Sequence, residues 1–303
     1  MSFKQIVGDI KSLKIQGATN VATSAVLAIK ELIKEKKSDS TIELAKSLKK
    51  GKLLLFKSRP TEPMMRNAIN FVLQDIDNLI HEPKVLFVSS IHDKIHEAIH
   101  SIKVGEERLI EFGAKKIKTG SIVYTHCHSS TVVNILIKAK EQGKTFEVYN
   151  TETRPRFQGR ITATDLAKAK IPVTHFVDSA AAIALSKADL FLMGADAITS
   201  EGNVFNKVGS GMIATLAHAL RVPVYSCTHS WKFDPLTVFG SDETVELRDP
   251  KEIWSAPPKG VKVLNPAFEI VLPELVAGVI TELGVFRSDS LIEELRREYP
   301  FLF

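Results

Sequence analysis

Two short segments of the chain carry residue types that can move protons. Cys127 lies in Thr125-His-Cys-His-Ser-Ser130 and Asp196 lies in Gly194-Ala-Asp196, and each segment follows a short apolar run. A thiol and a carboxylate both donate and accept protons, so together they suit acid–base chemistry on a small molecule. Each apolar run has the length and composition of a buried strand. If both strands belong to one parallel sheet, the two residues lie at its carboxyl edge, where open α/β sheets bind ligands.

Cys127 stands where a predicted strand gives way to a predicted helix. Ser129 or Ser130 is expected to cap that helix, whose positive end would lower the pKa of the thiol. His126 and His128 flank the cysteine and would add positive charge. The alternative is a small residue packed at a helix start. We favour a reactive thiol, because reactive cysteines occupy electropositive sites.

Asp196 follows a glycine that permits a tight turn, and it either caps that turn or takes part in the chemistry. A carboxylate at a buried sheet edge has a raised pKa and can act as an acid. Beside Cys127 and Lys207, we favour the chemical role. Lys207 follows Asn206 and precedes Gly209-Ser-Gly211, whose glycines let backbone N–H groups approach an anion. We therefore expect a phosphorylated small molecule at this edge.

Composition limits the class of protein. The chain has 303 residues, of which 44% are hydrophobic and 25% charged, as in a soluble globular protein of two domains. Two cysteines are too few for a disulfide framework, and we expect neither a signal peptide nor a membrane span, so a cytoplasmic location is predicted. The net charge is +5, but the basic residues are dispersed without interleaved aromatic residues. We therefore do not expect nucleic acid as a partner.

We expect neither a metal nor an organic cofactor. The Cys and His residues match no zinc-site spacing. Neither GxGxxG nor a P-loop motif occurs, so a dinucleotide or P-loop site lacks support.

The spacing of apolar residues divides the chain into a helical part and an alternating part. We predict an α/β protein with a helical domain over residues 1–118, followed by a Rossmann-like, doubly wound parallel sheet domain over residues 119–303. Helices are predicted over Val21–Lys37, Thr41–Phe56, Met64–Ile80 and His92–Lys118. Strands are predicted at Ser121–Thr125, Phe146–Asn150, Val173–Val177, Leu190–Gly194 and Val224–Cys227, with later ones at Lys262–Leu264 and Val276–Thr281. Polar residues follow these strands, among them Asp178 after the third.

Several motifs along nearly the whole chain resemble one known family. They are Ser58-Arg-Pro-Thr61, Thr125-His-Cys-His-Ser129, Thr151-Glu-Thr-Arg-Pro155 with Gln158-Gly159, Val177-Asp-Ser-Ala-Ala181, Met193-Gly-Ala-Asp196, Asn206-Lys-Val-Gly209, Trp231-Lys-Phe233 and Asn265-Pro-Ala-Phe268. The family contains the regulatory α, β and δ subunits of translation initiation factor 2B and two kinds of sugar-phosphate isomerase. These isomerases act on methylthioribose 1-phosphate or on ribose 1,5-bisphosphate, and the chain resembles the second kind most.

The resemblance implies a function and roles for individual residues. It implies an aldose–ketose isomerase that converts ribose 1,5-bisphosphate to ribulose 1,5-bisphosphate in archaeal nucleoside and AMP breakdown. Cys127 and Asp196 match its catalytic residues. Positions that hold the substrate and its phosphates are matched by Arg59, Ser129, Asn206, Lys207, Lys232 and the segment Gln16, Gly17, Ala18 and Thr19. In that segment the isomerases carry Arg-Gly-Ala-Gly, so Gln16 replaces an arginine.

The resemblance also leaves two other functions open. A non-catalytic subunit like those of initiation factor 2B would bind a nucleotide or sugar phosphate as a regulator. Methylthioribose-1-phosphate isomerase would share both catalytic residues but needs an apolar pocket. The presence of both Cys127 and Asp196 favours an enzyme. Related proteins form dimers or hexamers, so a homo-oligomer is expected.

Overall fold

The computed structural model describes residues 1–241 and 246–303, which fold into two compact units. The helical unit comprises residues 1–104, 231–233 and 296–303, and the sheet unit comprises residues 105–230 and 234–295. The division falls between Val104 and Gly105, and the boundary predicted from the sequence is residue 118. The difference arises because one helix, Lys84–Lys116, runs through the division without a break.

The helical unit consists of consecutive helices around one apolar core. Its helices are α1 (Phe3–Lys11), α2 (Ala18–Glu35), α3 (Thr41–Ser58), α4 (Pro63–Leu73), α5 (Ile76–Leu79) and the first part of α6 (Lys84–Lys116). Helix α3 begins at a capping box, in which the Ser40 hydroxyl accepts from the Glu43 N–H and the Glu43 carboxylate accepts from the Ser40 N–H. The predicted helix Met64–Ile80 is interrupted between α4 and α5.

The sheet unit contains a seven-stranded sheet and a smaller three-stranded sheet. In chain order its strands are β1 (Ile122–Thr125), β2 (Glu147–Thr151), β3 (Val173–Phe176), β4 (Leu190–Met193), β5 (Ala197–Ile198), β6 (Val204–Lys207), β7 (Val224–Cys227), β8 (Phe268–Val271), β9 (Gly278–Thr281) and β10 (Gly284–Phe286). The helices between them are α7 (Ser130–Glu141), α8 (Gln158–Lys168), α9 (Ala181–Leu185) and α10 (Ser210–Ala219). Near the end of the chain lies α11 (Leu291–Glu298).

The direction in which the chain adds strands to the large sheet reverses between β1 and β4. The order is β10-β9-β7-β4-β1-β2-β3, with β9 to β3 parallel and β10 antiparallel. After β1 the chain winds to one side through β2 and β3, and it then returns to β4 on the other side. This reversal is the topological switch point at which doubly wound sheets bind ligands, beyond the carboxyl ends of the strands.

The predicted fold class is confirmed, because the five predicted parallel strands form neighbouring members of one sheet. The predicted strand Lys262–Leu264 does not form, and only the later part of Val276–Thr281, β9, is a strand. The small sheet, β5-β6-β8, was not predicted. Among the described residues, no helix is both long enough and apolar enough to cross a membrane.

One buried side chain fastens the separate segment 231–233 into the helical unit. Asn67 of α4 is 1% exposed, and its Nδ2 donates to the carbonyl oxygens of Trp231 at 2.8 Å and Phe233 at 2.7 Å. Asn67→Ala would leave both carbonyls without this donor. We predict that the substitution lowers the free energy of unfolding by about 2 kcal/mol, measured by urea denaturation. The exposed Asn78→Ala serves as the control, and equal midpoints for the two variants would contradict the prediction.

Candidate active site

Cys127 lies in a tight connection between β1 and α7. Its φ angle is 66°, in the left-handed region that few residues other than glycine adopt. Ser129 is the N-cap of α7, and its Oγ accepts from the Val132 N–H at 3.4 Å, as the sequence predicted. Cys127 therefore precedes the cap and stands outside the first turn of the helix.

The backbone of Cys127 is held by two threonine side chains. Its N–H donates to Thr153 Oγ1 at 2.9 Å, and its carbonyl oxygen accepts from Thr162 Oγ1 at 2.9 Å. Asp178, directly after β3, accepts the N–H groups of Thr153 and Arg154 at 2.8 and 2.7 Å. The sequence indicates Asp178 as a polar residue at a strand end but gives no comparable indication for Thr153 and Thr162. The only signal for Thr153 was its place in the Thr151–Pro155 motif.

Burial has the largest effect on the pKa of the Cys127 thiol. Desolvation raises the pKa of Cys127 to about 11, even though Lys207 and the backbone N–H of His128 act to lower it. The negative charges of Asp196 and Asp178 raise the pKa further. The prediction of a lowered pKa is wrong, because the thiol is buried and lies outside the helix turn whose dipole was invoked. The thiol is therefore protonated at neutral pH.

The flanking histidines do not supply positive charge. Burial is the main cause of a lowered pKa for both His126 and His128, so both rings are neutral at neutral pH. His126 Nε2 lies 3.0 Å from the Val208 carbonyl oxygen, which can only accept, so Nε2 carries the hydrogen. Its Nδ1 then accepts from Thr151 Oγ1 at 2.8 Å. His126 thus joins the end of β1 to the loop that follows β6.

Two glycines allow the site loops to come close together. A Cβ atom on Gly209 would lie 2.8 Å from His126 Nε2, and Gly209 also has a φ of 100°. A Cβ atom on Gly194, just after β4, would lie 2.8 Å from Ser129 Oγ. The chain beyond β4 and the loop beyond β6 therefore both pack against the β1–α7 connection that contains Cys127.

Asp196 follows β4 at the same edge of the sheet as Cys127. It is partly exposed, and its N–H donates to the Phe205 carbonyl oxygen at 2.8 Å. Because β1 and β4 are paired, with Thr125 opposite Leu192, the segments that follow them leave the sheet side by side. The negative charge of Asp196 acts in the direction that raises the pKa of the Cys127 thiol.

Lys207 and Asn206 end strand β6. Lys207 Nζ lies 4.4 Å from the centroid of the Phe268 ring, and its charge also acts on the Cys127 thiol. Asn206 is buried, and its Nδ2 donates to Ser210 Oγ at 3.0 Å. In the segment 206–211, which was predicted to bind an anion, one backbone N–H already has an acceptor, because the Gly211 N–H donates to the Glu269 carboxylate at 2.6 Å. Within this loop, Lys207 is the group with a full positive charge.

The remaining predicted substrate-binding residues belong to the helical unit. Gly17 is the N-cap of α2 with a φ of 82°, and it is followed by Ala18 and Thr19 at the start of the helix. Gln16 is exposed, and its Nε2 donates to the Leu13 carbonyl oxygen at 2.5 Å. The other two are Arg59, whose Nη2 lies 3.2 Å from Glu62 Oε1, and Lys232 in the 3₁₀ turn Ser230–Lys232. The predicted site residues are thus divided between the two units.

The described residues contain no group of three or more His, Cys, Asp or Glu side chains that could hold a metal ion. The donor groups at the switch point are a thiol, a carboxylate, an ammonium group and hydroxyls. Such a set suits proton transfer on an anionic substrate.

Fold and site together define a doubly wound α/β protein that carries acid–base groups at its switch point. A family model described as the Initiation factor 2 subunit family matches residues 14–288. Because this match covers most of the chain, the chain belongs to that family.

Named relatives cover nearly the whole chain. Ribose 1,5-bisphosphate isomerase of Thermococcus kodakarensis is 37% identical over 97% of this chain and 94% of its own length. Methylthioribose-1-phosphate isomerase of Caldanaerobacter subterraneus is 30% identical over 92% of this chain and 85% of its own. Among solved structures, translation initiation factor eIF-2B of Pyrococcus horikoshii OT3 has a TM-score of 0.80 and 26% identity, covering 94% of this chain and 96% of that one.

The raised pKa of Cys127 can be measured directly. In a Cys227→Ala background, we predict that the ultraviolet absorbance of the thiolate appears with a midpoint near pH 11. The sign follows from burial, which disfavours the charged thiolate and so keeps the proton on sulfur. The added variant Cys127→Ser must abolish this signal. A midpoint at or below the ordinary thiol pKa of about 8.5 would contradict the prediction.

Proposed function

We propose that this protein is an aldose–ketose isomerase that converts ribose 1,5-bisphosphate to ribulose 1,5-bisphosphate. The observation that carries the proposal is the placement of Cys127 and Asp196 at the switch point between β1 and β4. The relatives named as isomerases support the reaction class, because they match almost the full chain. The reaction needs only proton transfers and a ring opening, which a thiol and a carboxylate can catalyse.

The protonated state of Cys127 suggests the order of steps. The thiol gives its proton to the ring oxygen as the bond between that oxygen and C1 breaks, and the C1 phosphate oxygen stabilises the resulting cation. The thiolate then takes the C2 proton, which leaves an enol phosphate. As Asp196 takes the proton of the C2 hydroxyl, the thiol protonates C1 and the ketose forms. Transfer of a proton from Asp196 back to sulfur restores the enzyme.

The phosphate groups of the substrate require positive charge and N–H donors. In the sheet unit we assign this role to Lys207, with Ser129 and Asn206 orienting the sugar. In the helical unit we assign it to Arg59, Lys232 and the start of α2 at Gly17–Thr19, where unpaired N–H groups favour an anion.

The assignment of the two catalytic residues predicts a matched set of kinetic results. With ribose 1,5-bisphosphate as substrate, Cys127→Ser and Asp196→Asn should each lower kcat/KM by at least about 100-fold, because each removes a proton-transfer group. Formation of ribulose 1,5-bisphosphate is the measurement. Cys227→Ala and the surface variant Asp289→Asn are the controls and should stay within about threefold of wild type. Full activity in either catalytic variant would contradict the assignment.

The same assay separates the other functions. Turnover of methylthioribose 1-phosphate instead of ribose 1,5-bisphosphate would favour the second kind of isomerase. Absence of turnover with both sugars, together with binding to translation initiation factor 2, would favour a regulatory subunit.

A substitution at Gln16 is expected to improve substrate binding, whereas the substitutions at Cys127 and Asp196 are expected to reduce activity. An arginine forms a bidentate pair with phosphate, which a glutamine amide cannot match. We predict that Gln16→Arg lowers KM for ribose 1,5-bisphosphate by roughly tenfold, with kcat within about twofold of wild type. Gln16→Lys tests whether charge alone suffices. An unchanged KM in Gln16→Arg would show that this segment does not contact a phosphate.

We further propose that the protein is cytoplasmic and forms a homo-oligomer, either a dimer or a hexamer. This proposal is supported by the family resemblance. Light scattering after size-exclusion chromatography gives the subunit number, and a monomeric mass at micromolar concentration would contradict the proposal.

A further inference from the structure

We infer that Thr153, Thr162 and Asp178 are positioning residues that hold Cys127 in its left-handed conformation and thereby set both the place and the protonation of its thiol. The expected effect on kcat rests on the proposed function, whereas the expected effect on the reactivity of the thiol rests on the structure alone. We call these three residues the cysteine clamp.

The clamp is needed because its central residues adopt unfavourable backbone conformations. Cys127 has a φ of 66°, and Thr153, which contacts it, has a φ of 63°. In this region the Cβ atom crowds the carbonyl oxygen, and a β-branched residue such as threonine is a genuine outlier there. Such conformations persist only where the surrounding contacts determine them, and they cluster at functional sites.

Both backbone polar groups of Cys127 are taken by side-chain hydroxyls. Thr153 Oγ1 accepts the Cys127 N–H and directs its own proton toward the Thr151 carbonyl oxygen at 3.4 Å. Thr162 Oγ1 donates to the Cys127 carbonyl oxygen and lies 3.1 Å from His128 Nδ1, from which it can accept. Each hydroxyl therefore uses both its donor and its acceptor capacity, so neither can rotate without breaking a bond.

Asp178 secures the strained end of the clamp. One carboxylate oxygen accepts the Thr153 N–H and the other accepts the Arg154 N–H, at 2.8 and 2.7 Å. An asparagine in its place would offer one oxygen and one NH₂ group, so one of the two N–H groups would lose its acceptor. Asp178 Oδ1 also lies 4.0 Å from His126 Nδ1, beside the chain that leads into Cys127.

Asp178 also acts on the thiol through its charge. The charged groups that act on Cys127 are Asp178 and Asp196, which oppose the thiolate, and Lys207, which favours it. Asp178 accepts the Thr153 N–H, and Thr153 in turn accepts the Cys127 N–H, so Asp178 acts on the backbone of Cys127 through Thr153. It is therefore a positioning residue and not a catalytic one.

Conservative pairs of variants test the clamp. Thr153→Val and Thr162→Val keep the shape of the side chain but lose the hydroxyl, whereas Thr153→Ser and Thr162→Ser keep it. With ribose 1,5-bisphosphate, each valine variant should lower kcat by roughly 10- to 100-fold with KM within about twofold, and each serine variant should stay near wild type. A valine variant that keeps full kcat would overturn the inference.

A second measurement needs no substrate. In the Cys227→Ala background, the rate of iodoacetamide alkylation is followed against pH for wild type, Thr153→Val and Asp178→Asn. Release of the clamp exposes Cys127 to water, so its alkylation midpoint should fall in both variants, and further in Asp178→Asn, which also removes a negative charge. Unchanged midpoints in proteins that are folded by circular dichroism would overturn the clamp.

The two measurements fail differently. If wild type does not turn over the bisphosphate but the midpoints shift, the proposed function is wrong and the clamp stands. If turnover is normal and neither kcat nor the midpoint responds to loss of the hydroxyls, the clamp is wrong and the function stands. A residue that only supports the fold would lower the melting temperature without moving kcat or the midpoint. Should Asp178→Asn fail to fold, the valine and serine pairs decide the question.

Discussion

The parallel pairing of β1 with β4 is the constraint on which the candidate site depends. Thr125 of β1 lies opposite Leu192 of β4, so the segments that follow these two strands reach the same edge of the sheet although they are far apart in the sequence. The strand order reverses between them, and at such a reversal doubly wound sheets bind ligands. The loops at this edge approach each other closely, since Gly194 lacks the Cβ atom that would meet Ser129 and Gly209 lacks the one that would meet His126. A shift of register by one residue would point the side chains of β1 to the opposite faces and separate the groups that now meet.

Burial, rather than nearby charge, determines the protonation state in which the Cys127 thiol enters the reaction. A thiolate would be the reactive form for nucleophilic attack, but desolvation holds the proton on Cys127 at neutral pH. The residue is therefore suited to begin as a proton donor and to become a base only after that proton has left. Lys207 acts in the favourable direction on the resulting thiolate, and the neutral His126 and His128 do not compete with it for an anionic substrate. The surroundings of Cys127 thus favour a thiol that releases and regains a proton over a thiolate that attacks the substrate covalently.

The sequence predicted what depends on local patterns and missed what depends on packing. Apolar runs such as Leu190–Met193 located the parallel strands, since a strand buried on both faces must be continuously apolar. Strand β6 was missed because its apolar part is only Val204 and Phe205, and its pairing with β8 is distant in the chain. The helix-dipole argument failed for Cys127 because no local pattern reports how completely a thiol is desolvated. The roles of Thr153 and Thr162, whose hydroxyls hold the Cys127 backbone, could not be predicted for a related reason. Threonines are common, and only the folded geometry shows that these two contact the cysteine.

The proposed catalytic residues and two of the proposed phosphate contacts belong to different units of the chain. The proton-transfer groups Cys127 and Asp196 lie wholly within the sheet unit, where the strand order fixes them. The proposed phosphate contacts Gln16 and Arg59 lie in the helical unit, the first just before the N-cap of α2 and the second at the C-cap of α3. Under the proposed assignment, glutamine in place of arginine at position 16 alters a phosphate contact, whereas the backbone of Cys127 is held by Thr153 and Thr162 of the sheet unit.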